Sequence, residues 1–130
     1  MFHLEGIDHV ALLVRDVEAS VRWYRDVLGL DRLHEDAWGS FPAVVGTSGT
    51  SLALFPVASA TPQPPPGTDT ICMRHVAFRV DHANFVAAQA DLDRRGIPFR
   101  SEDHRRALSI YFEDPDGHQL EITTYERASA

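Results

Sequence analysis

DHVALLV at residues 8–14 and RHVAFRV at residues 74–80 are near copies, sixty-six positions apart, each carrying a histidine at its head. The elements after each copy are also repeated. Behind the first, Asp16 stands ready to cap a helix whose apolar positions Val17, Val21, Tyr24, Val27 and Leu28 recur at helical spacing and which Gly29 ends. Behind the second, a helix from about Asn84 puts Phe85, Ala88 and Leu92 on one side, and Gly96 closes it. LDRLHEDA, FPAVVGT and SLALFPV, separated by Trp38-Gly39-Ser40 and Ser48-Gly49, suit a three-strand meander. PFRSE and ALSIYFEDPDGHQLEITTY supply the same in the second half, with Pro115-Asp116-Gly117 as a turn. The chain therefore reads as a tandem duplication of a βαβββ unit, with module 1 at about 7–57 and module 2 at about 71–125. Residues 58–70, ASATPQPPPGTDT, hold four prolines and no period, which makes them a linker. Halves of about 60 residues are marginal alone, so the 130 residues are expected to form a single domain.

Composition removes several classes of partner. Twelve Lys and Arg against nineteen Asp and Glu leave a net charge of −7, which repels a phosphate backbone, so no nucleic acid is expected. No run approaches the roughly 18 apolar residues of a membrane span, and MFHLEG lacks a basic, apolar leader. A cytoplasmic location is the resulting expectation. The one cysteine, Cys72, excludes an internal disulfide and, between Ile71 and Met73, reads as a small buried hydrophobe.

Strand parity then assigns faces. Helices on one side of each sheet leave the other free to curve around a ligand. Val10, Leu12 and Val14 belong to the core face of the first strand, and Val76, Phe78 and Val80 face the helix in the second module. His75, Ala77 and Arg79 then point to the free side. Leu120 and Ile122 are core, which sends Gln119, Glu121, Thr123 and Tyr125 to that side, and Ile110 and Phe112 as core send Ser109 and Tyr111 there. His9, His75 and Glu121 thus share one face: two imidazoles and a carboxylate, the set that holds a divalent ion with open positions. A lone histidine near a strand start is more often structural, but a structural residue has no reason to recur in the duplicate. Ala11 and Ala77, two residues after each histidine, keep space beside the ion.

IDHVALLV with DVEASVRWYRDVLGL, the second RHVAF, and YFEDPDGHQLEI resemble the vicinal oxygen chelate superfamily, which includes glyoxalase I, extradiol dioxygenases, fosfomycin-resistance enzymes and bleomycin-resistance proteins. The resemblance runs from about Ile7 to Tyr125. It implies an α+β fold in which two tandem βαβββ modules form a cupped mixed sheet around a metal held by His9, His75 and Glu121. It further implies an iron, manganese, zinc or nickel ion, and a homodimer whose partner often completes the cup. Glyoxalase I places a further acidic ligand where this chain has Ala53, so three-ligand members are the nearer analogues. Fosfomycin-resistance enzymes usually carry threonine where this chain has Ala11, a departure that argues against that substrate.

The expected activity is that of a divalent-metal-dependent enzyme on a small molecule chelated through adjacent oxygens, as a ring-cleaving dioxygenase, a group transferase to an epoxide, or a glyoxalase-type lyase or isomerase. Tyr111, on the concave face and in the family's tyrosine position, is the candidate catalytic residue. Arg79, His104, Arg105, Arg106 and Thr123, with Ala53, are the candidate substrate contacts, the cations suiting an anionic group. His118 is assigned to its turn. Trp38 and Phe41 are expected in an apolar wall near the cup or a dimer contact. The alternative is a non-catalytic drug-sequestering protein of the bleomycin-resistance type, for which retention of all three ligands has no use.

Overall fold

The computed structural model describes residues 1–39, 42–47 and 49–127. Phe41, Ser40 and Ser48 lie outside the described residues. The chain divides into two compact units, Met1–Gln63 and Pro64–Ala130, and the break falls within the proline-rich stretch expected to be a linker.

In the first unit β1 (Val10–Val14) leads to α1 (Val17–Leu28), then β2 (Asp31–Leu33), a short α2 (Glu35–Trp38), β3 (Ala43–Thr47) and β4 (Thr50–Pro56). The second unit repeats this as β5 (Val76–Arg79), α3 (His82–Arg94), β6 (Arg100–Asp103), β7 (Leu108–Glu113) and β8 (Gln119–Thr124), without the short helix. The sheet orders are β1-β4-β3-β2 and β5-β8-β7-β6. In each, the first strand lies parallel to the last and the remaining pairs are antiparallel. The expected α+β architecture of two tandem βαβββ modules is what the chain forms.

The helix boundaries are set by their caps. Asp16 accepts the Ala19 N–H at 3.0 Å, and Gly29 ends α1 at φ 67°, a conformation that costs glycine little. Asp81 accepts the Asn84 N–H at 2.8 Å, so α3 begins at His82, two residues before the position its apolar period suggests. α1 buries Ser20, Val21 and Tyr24 and packs on β2, β3 and β4. Leu12, Val14, Val45, Leu52 and Leu54 complete that core. α3 buries Phe85 and Leu92 and packs on β8, where Ile110, Phe112, Leu120 and Ile122 form the second core. Full burial of such side chains stabilises by about 1.5–3 kcal/mol each.

Two expectations need correction. LDRLHEDA is not one strand: β2 stops at Leu33, His34 takes a left-handed φ of 61°, and Glu35–Trp38 turns helical with Glu35 and Asp36 in its first turn. Trp38 is exposed there, its ring 5.0 Å from that of His34. Cys72 is also exposed, as are Ile71 and Met73, because residues 57–75 join no helix or ladder that would bury them.

The β3–β4 hairpin contains a site where only glycine fits. Gly46 pairs with Ser51, and a Cβ on it would lie 2.3 Å from the Thr50 carbonyl oxygen. Gly46→Ala is expected to destabilise the protein by ~1–3 kcal/mol, read as a lower urea midpoint at an unchanged slope; an unaltered midpoint would mean the hairpin opens without cost.

Candidate functional site

The ladder register decides which side chains meet in the second unit. β5 and β8 run parallel with Ala77 beside Glu121, and β7 and β8 run antiparallel with Tyr111 opposite Glu121. A carboxylate in the central strand of that set is buried, and burying it is costly unless it is paired. Its partners are His75, one residue before β5, whose Nε2 lies 2.9 Å from Glu121 Oε1, and Ser109, whose hydroxyl donates to Glu121 Oε2 at 2.7 Å. Ser109, itself 1% exposed, lies 3.0 Å from Thr123 Oγ1, which donates to the Leu108 carbonyl at 3.2 Å. Both carboxylate oxygens are therefore held. The histidine is not satisfied in the same way: its Nδ1 is buried without a partner among the described residues. An orphaned buried nitrogen calls for a partner, which a water, an ion or a ligand would supply.

Glu121, Ser109, Thr123 and Ala77 line a concavity of about 510 Å³ with Ala107, Tyr125, His104 and Arg106. Five of these come from the faces assigned by parity, and three from the β6–β7 loop. Of the expected contacts, His104, Arg106 and Thr123 are present, while Arg79 is exposed and absent from the lining. Alternation places Ser109 and Tyr125 on this face, yet nothing in the sequence marks Ser109 as the carboxylate's partner. Ala107 lies on the loop, where alternation carries no signal.

Tyr111 stands at the edge of this set. Its hydroxyl is 2.9 Å from His104 Nε2, its ring meets the His75 ring edge-on at 5.8 Å, and the Arg100 guanidinium sits 4.6 Å over its face. Glu102 approaches the same His104 nitrogen at 3.3 Å. His118 serves its turn through the backbone, as expected: Asp114 Oδ1 accepts from the N–H groups of Asp116 and His118, both at 2.9 Å.

The first unit carries the same frame with different chemistry. Its parallel register sets Ala11 beside Ala53, where the second unit has Ala77 beside Glu121, and Val44 opposes Ala53 where Tyr111 opposes Glu121. Ala53 is thus the true counterpart of the acidic residue, and it is buried. His9 precedes β1 as His75 precedes β5; its Nδ1 is 2.7 Å from Asp8 Oδ2, which leaves Nε2 for another partner. Among the described residues no three His, Cys, Asp or Glu side chains are gathered as a metal-holding group. The donor chemistry present, imidazole nitrogen with carboxylate oxygen, suits a borderline divalent ion.

Burial, and after it the Glu121 carboxylate, push the Tyr111 phenol above its ordinary range, against a smaller lowering by the Ser109 hydroxyl. A phenol whose folded value is raised stabilises the fold fully below the unfolded value near 10, and that contribution is lost as pH rises through the folded value. In the metal-free protein a step of tyrosinate absorbance above the ordinary phenol range is expected to vanish in Tyr111→Phe; a titration unchanged in that variant would show that Tyr111 does not supply such a step.

Comparison with known proteins agrees with this fold. A sequence profile of the Glyoxalase/Bleomycin resistance protein/Dioxygenase superfamily matches residues 6–122. The metallothiol transferase FosB of Staphylococcus epidermidis is 32% identical over 124 residues, covering 93% of this chain and 84% of its own. The glutathione transferase FosA of Serratia marcescens is 29% identical over 119 residues, covering 92% and 80%. A glyoxalase/dioxygenase crystal structure from Nostoc punctiforme superposes with a TM-score of 0.79 at 30% identity, over 92% of this chain and 90% of that one. With its paired βαβββ sheets and the profile spanning nearly its whole length, this chain belongs to the Glyoxalase/Bleomycin resistance protein/Dioxygenase superfamily.

Proposed function

We propose that the protein is a divalent-metal-dependent enzyme that transfers a thiol to a small electrophile, such as an epoxide, bearing adjacent oxygens. The observation that carries this reading is the His75–Glu121 pair, locked by Ser109 and opening on a concavity that also presents His104 and Arg106. The similarity to two transferases supports thiol transfer rather than ring cleavage. His75 and Glu121 would supply two ligands, and His9, which heads the matching strand of the first unit, is the third candidate that the family resemblance implies. A divalent ion held there would supply Lewis acidity toward an oxygen of the electrophile.

The remaining roles belong to the chain. Glu121, fixed at Oε2, presents Oε1 in one orientation, and Ala77 leaves room for the substrate. His104 and Arg106 hold an anionic group of the substrate, and Thr123 contacts it in the concavity. As sulfur bonds to carbon and the carbon–oxygen bond breaks, Tyr111, with His104 on its hydroxyl, delivers a proton to the released oxygen and regains the one that the thiol gives up. Ala11 stands where fosfomycin-resistance members usually carry threonine, so the electrophile is a different one. The unpaired outer strands of both sheets favour a homodimer. No helix among the described residues is long and apolar enough to cross a membrane, and the reading places the enzyme in the cytoplasm.

Metal analysis of protein purified without added salts, and then loss of free thiol with a panel of epoxides, tests the proposal. Glu121→Gln is expected to abolish uptake of Mn²⁺ or Zn²⁺. Ser109→Ala is expected to weaken it roughly 10–100-fold, the usual cost of losing a group that orients a ligand, with Ser109→Thr restoring most of it. A protein that takes up no divalent ion, consumes no thiol and yet binds a drug tightly would be a sequestering protein instead.

A further inference from the structure

The loop that brings His104 and Arg106 to the concavity is a four-residue connection between β6 and β7, and it contains an unfavourable backbone. Arg105 has φ 71°, a left-handed value that a non-glycine side chain rarely adopts. The Arg106 N–H donates to the His104 carbonyl at 2.9 Å across it, and the His104 N–H donates to the Ala107 carbonyl at 2.8 Å. Such a turn persists only where its surroundings impose it.

The imposing group lies at the far end of the unit. Arg127, three residues past β8, donates from Nη1 to Asp103 Oδ1 at 2.7 Å and to the Arg105 carbonyl at 2.9 Å, and from Nη2 to Asp103 Oδ2 at 2.7 Å. Asp103 Oδ1 also accepts the Arg105 N–H at 2.8 Å. One guanidinium thus grips the last residue of β6 and the carbonyl of the strained residue itself. We propose that Arg127 is a positioning residue that holds the 104–106 turn in the form that presents His104 and Arg106 to the concavity.

A purely stabilising ion pair explains the arrangement less well. The Arg127 and Asp103 side chains are 46% and 54% exposed, a setting in which ion pairs contribute little to folding. A point charge would suffice for that purpose, whereas the planar fork reaches a carboxylate and a carbonyl together. The Asp103 carboxyl is held far below the usual carboxylate range, by Arg127 first and the Arg105 N–H second, so it remains ionised wherever the protein is used. The inference rests on the substrate-binding reading of His104 and Arg106, but the loop conformation is measurable apart from it.

The loop itself supplies the readout, because Arg105 and Arg106 are tryptic sites. In the full-length protein under native conditions, Arg127→Ala and Asp103→Asn are expected to speed tryptic cleavage after Arg105 and Arg106 at least tenfold and to shift the imidazole resonances of His104, with the thermal midpoint nearly unchanged. Arg127→Lys, which keeps the charge and loses the fork, is expected to fall between. Affinity for inorganic phosphate as an anionic probe should fall in parallel. Cleavage and His104 resonances equal to wild type in both Arg127→Ala and Asp103→Asn would overturn the proposal. A wild-type protein that binds no phosphate, while the variants show the cleavage and resonance changes, supports the clamp and counts against the anion-binding reading instead.

Discussion

A carboxylate buried in the middle of a sheet is the constraint around which the second unit is organised. Glu121 has Ala77 on one side and Tyr111 on the other, and it is nearly inaccessible to water. An isolated ionised carboxylate in such a place is costly enough that it must either be protonated or be met by donors. The chain meets it with a serine from β7 and the histidine at the head of β5. Each donor comes from a strand whose position is set by an apolar face on the opposite side, through Ile110 and Phe112 in one case and Val76 and Phe78 in the other. Packing on the helix side therefore determines geometry on the open side, because alternation leaves no freedom to move one without the other.

The duplication shows what that frame does when the carboxylate is removed. The first unit repeats sheet order, register, cap and terminating glycine, yet Ala53 and Val44 stand where Glu121 and Tyr111 stand in its twin. Without a buried charge there is nothing to pair, and Ala53 is accommodated as plain core. The histidine survives in both copies, but in the first it leans on the exposed Asp8 rather than on a buried acid. Two modules of one repeated pattern are thus chemically unequal while remaining structurally alike.

Loops add what strands cannot. The β6–β7 turn supplies His104, Arg106 and Ala107 to the concavity, and its left-handed residue is a local violation of backbone preference at the rim of that concavity. Strand faces set the carboxylate and its serine; the turn sets the cationic side. The first is fixed by ladders, and the second sits on backbone that is held by side chains.

Much of this is legible in the sequence because it rests on periods and caps. The repeated histidine strand, Asp16 with Gly29, and the alternation around Leu120 and Ile122 are local patterns, and local patterns survive without knowledge of the fold. Asp81 carries the same capping signal as Asp16, so the start of α3 at His82 is legible as well, whereas the break after Leu33 escapes such a reading because a left-handed His34 leaves no periodic trace. Cys72 defeats it too, because burial depends on neighbours that the surrounding sequence does not supply. The sequence by itself determined the βαβββ repeat, the open face and the residues on it, since alternation and capping are properties of neighbours along the chain. Only the tertiary structure decided that Ser109 holds Glu121, that Arg79 stays outside the concavity and that Arg127 reaches back to Asp103, since those depend on ladder register and on contacts between residues far apart in the chain.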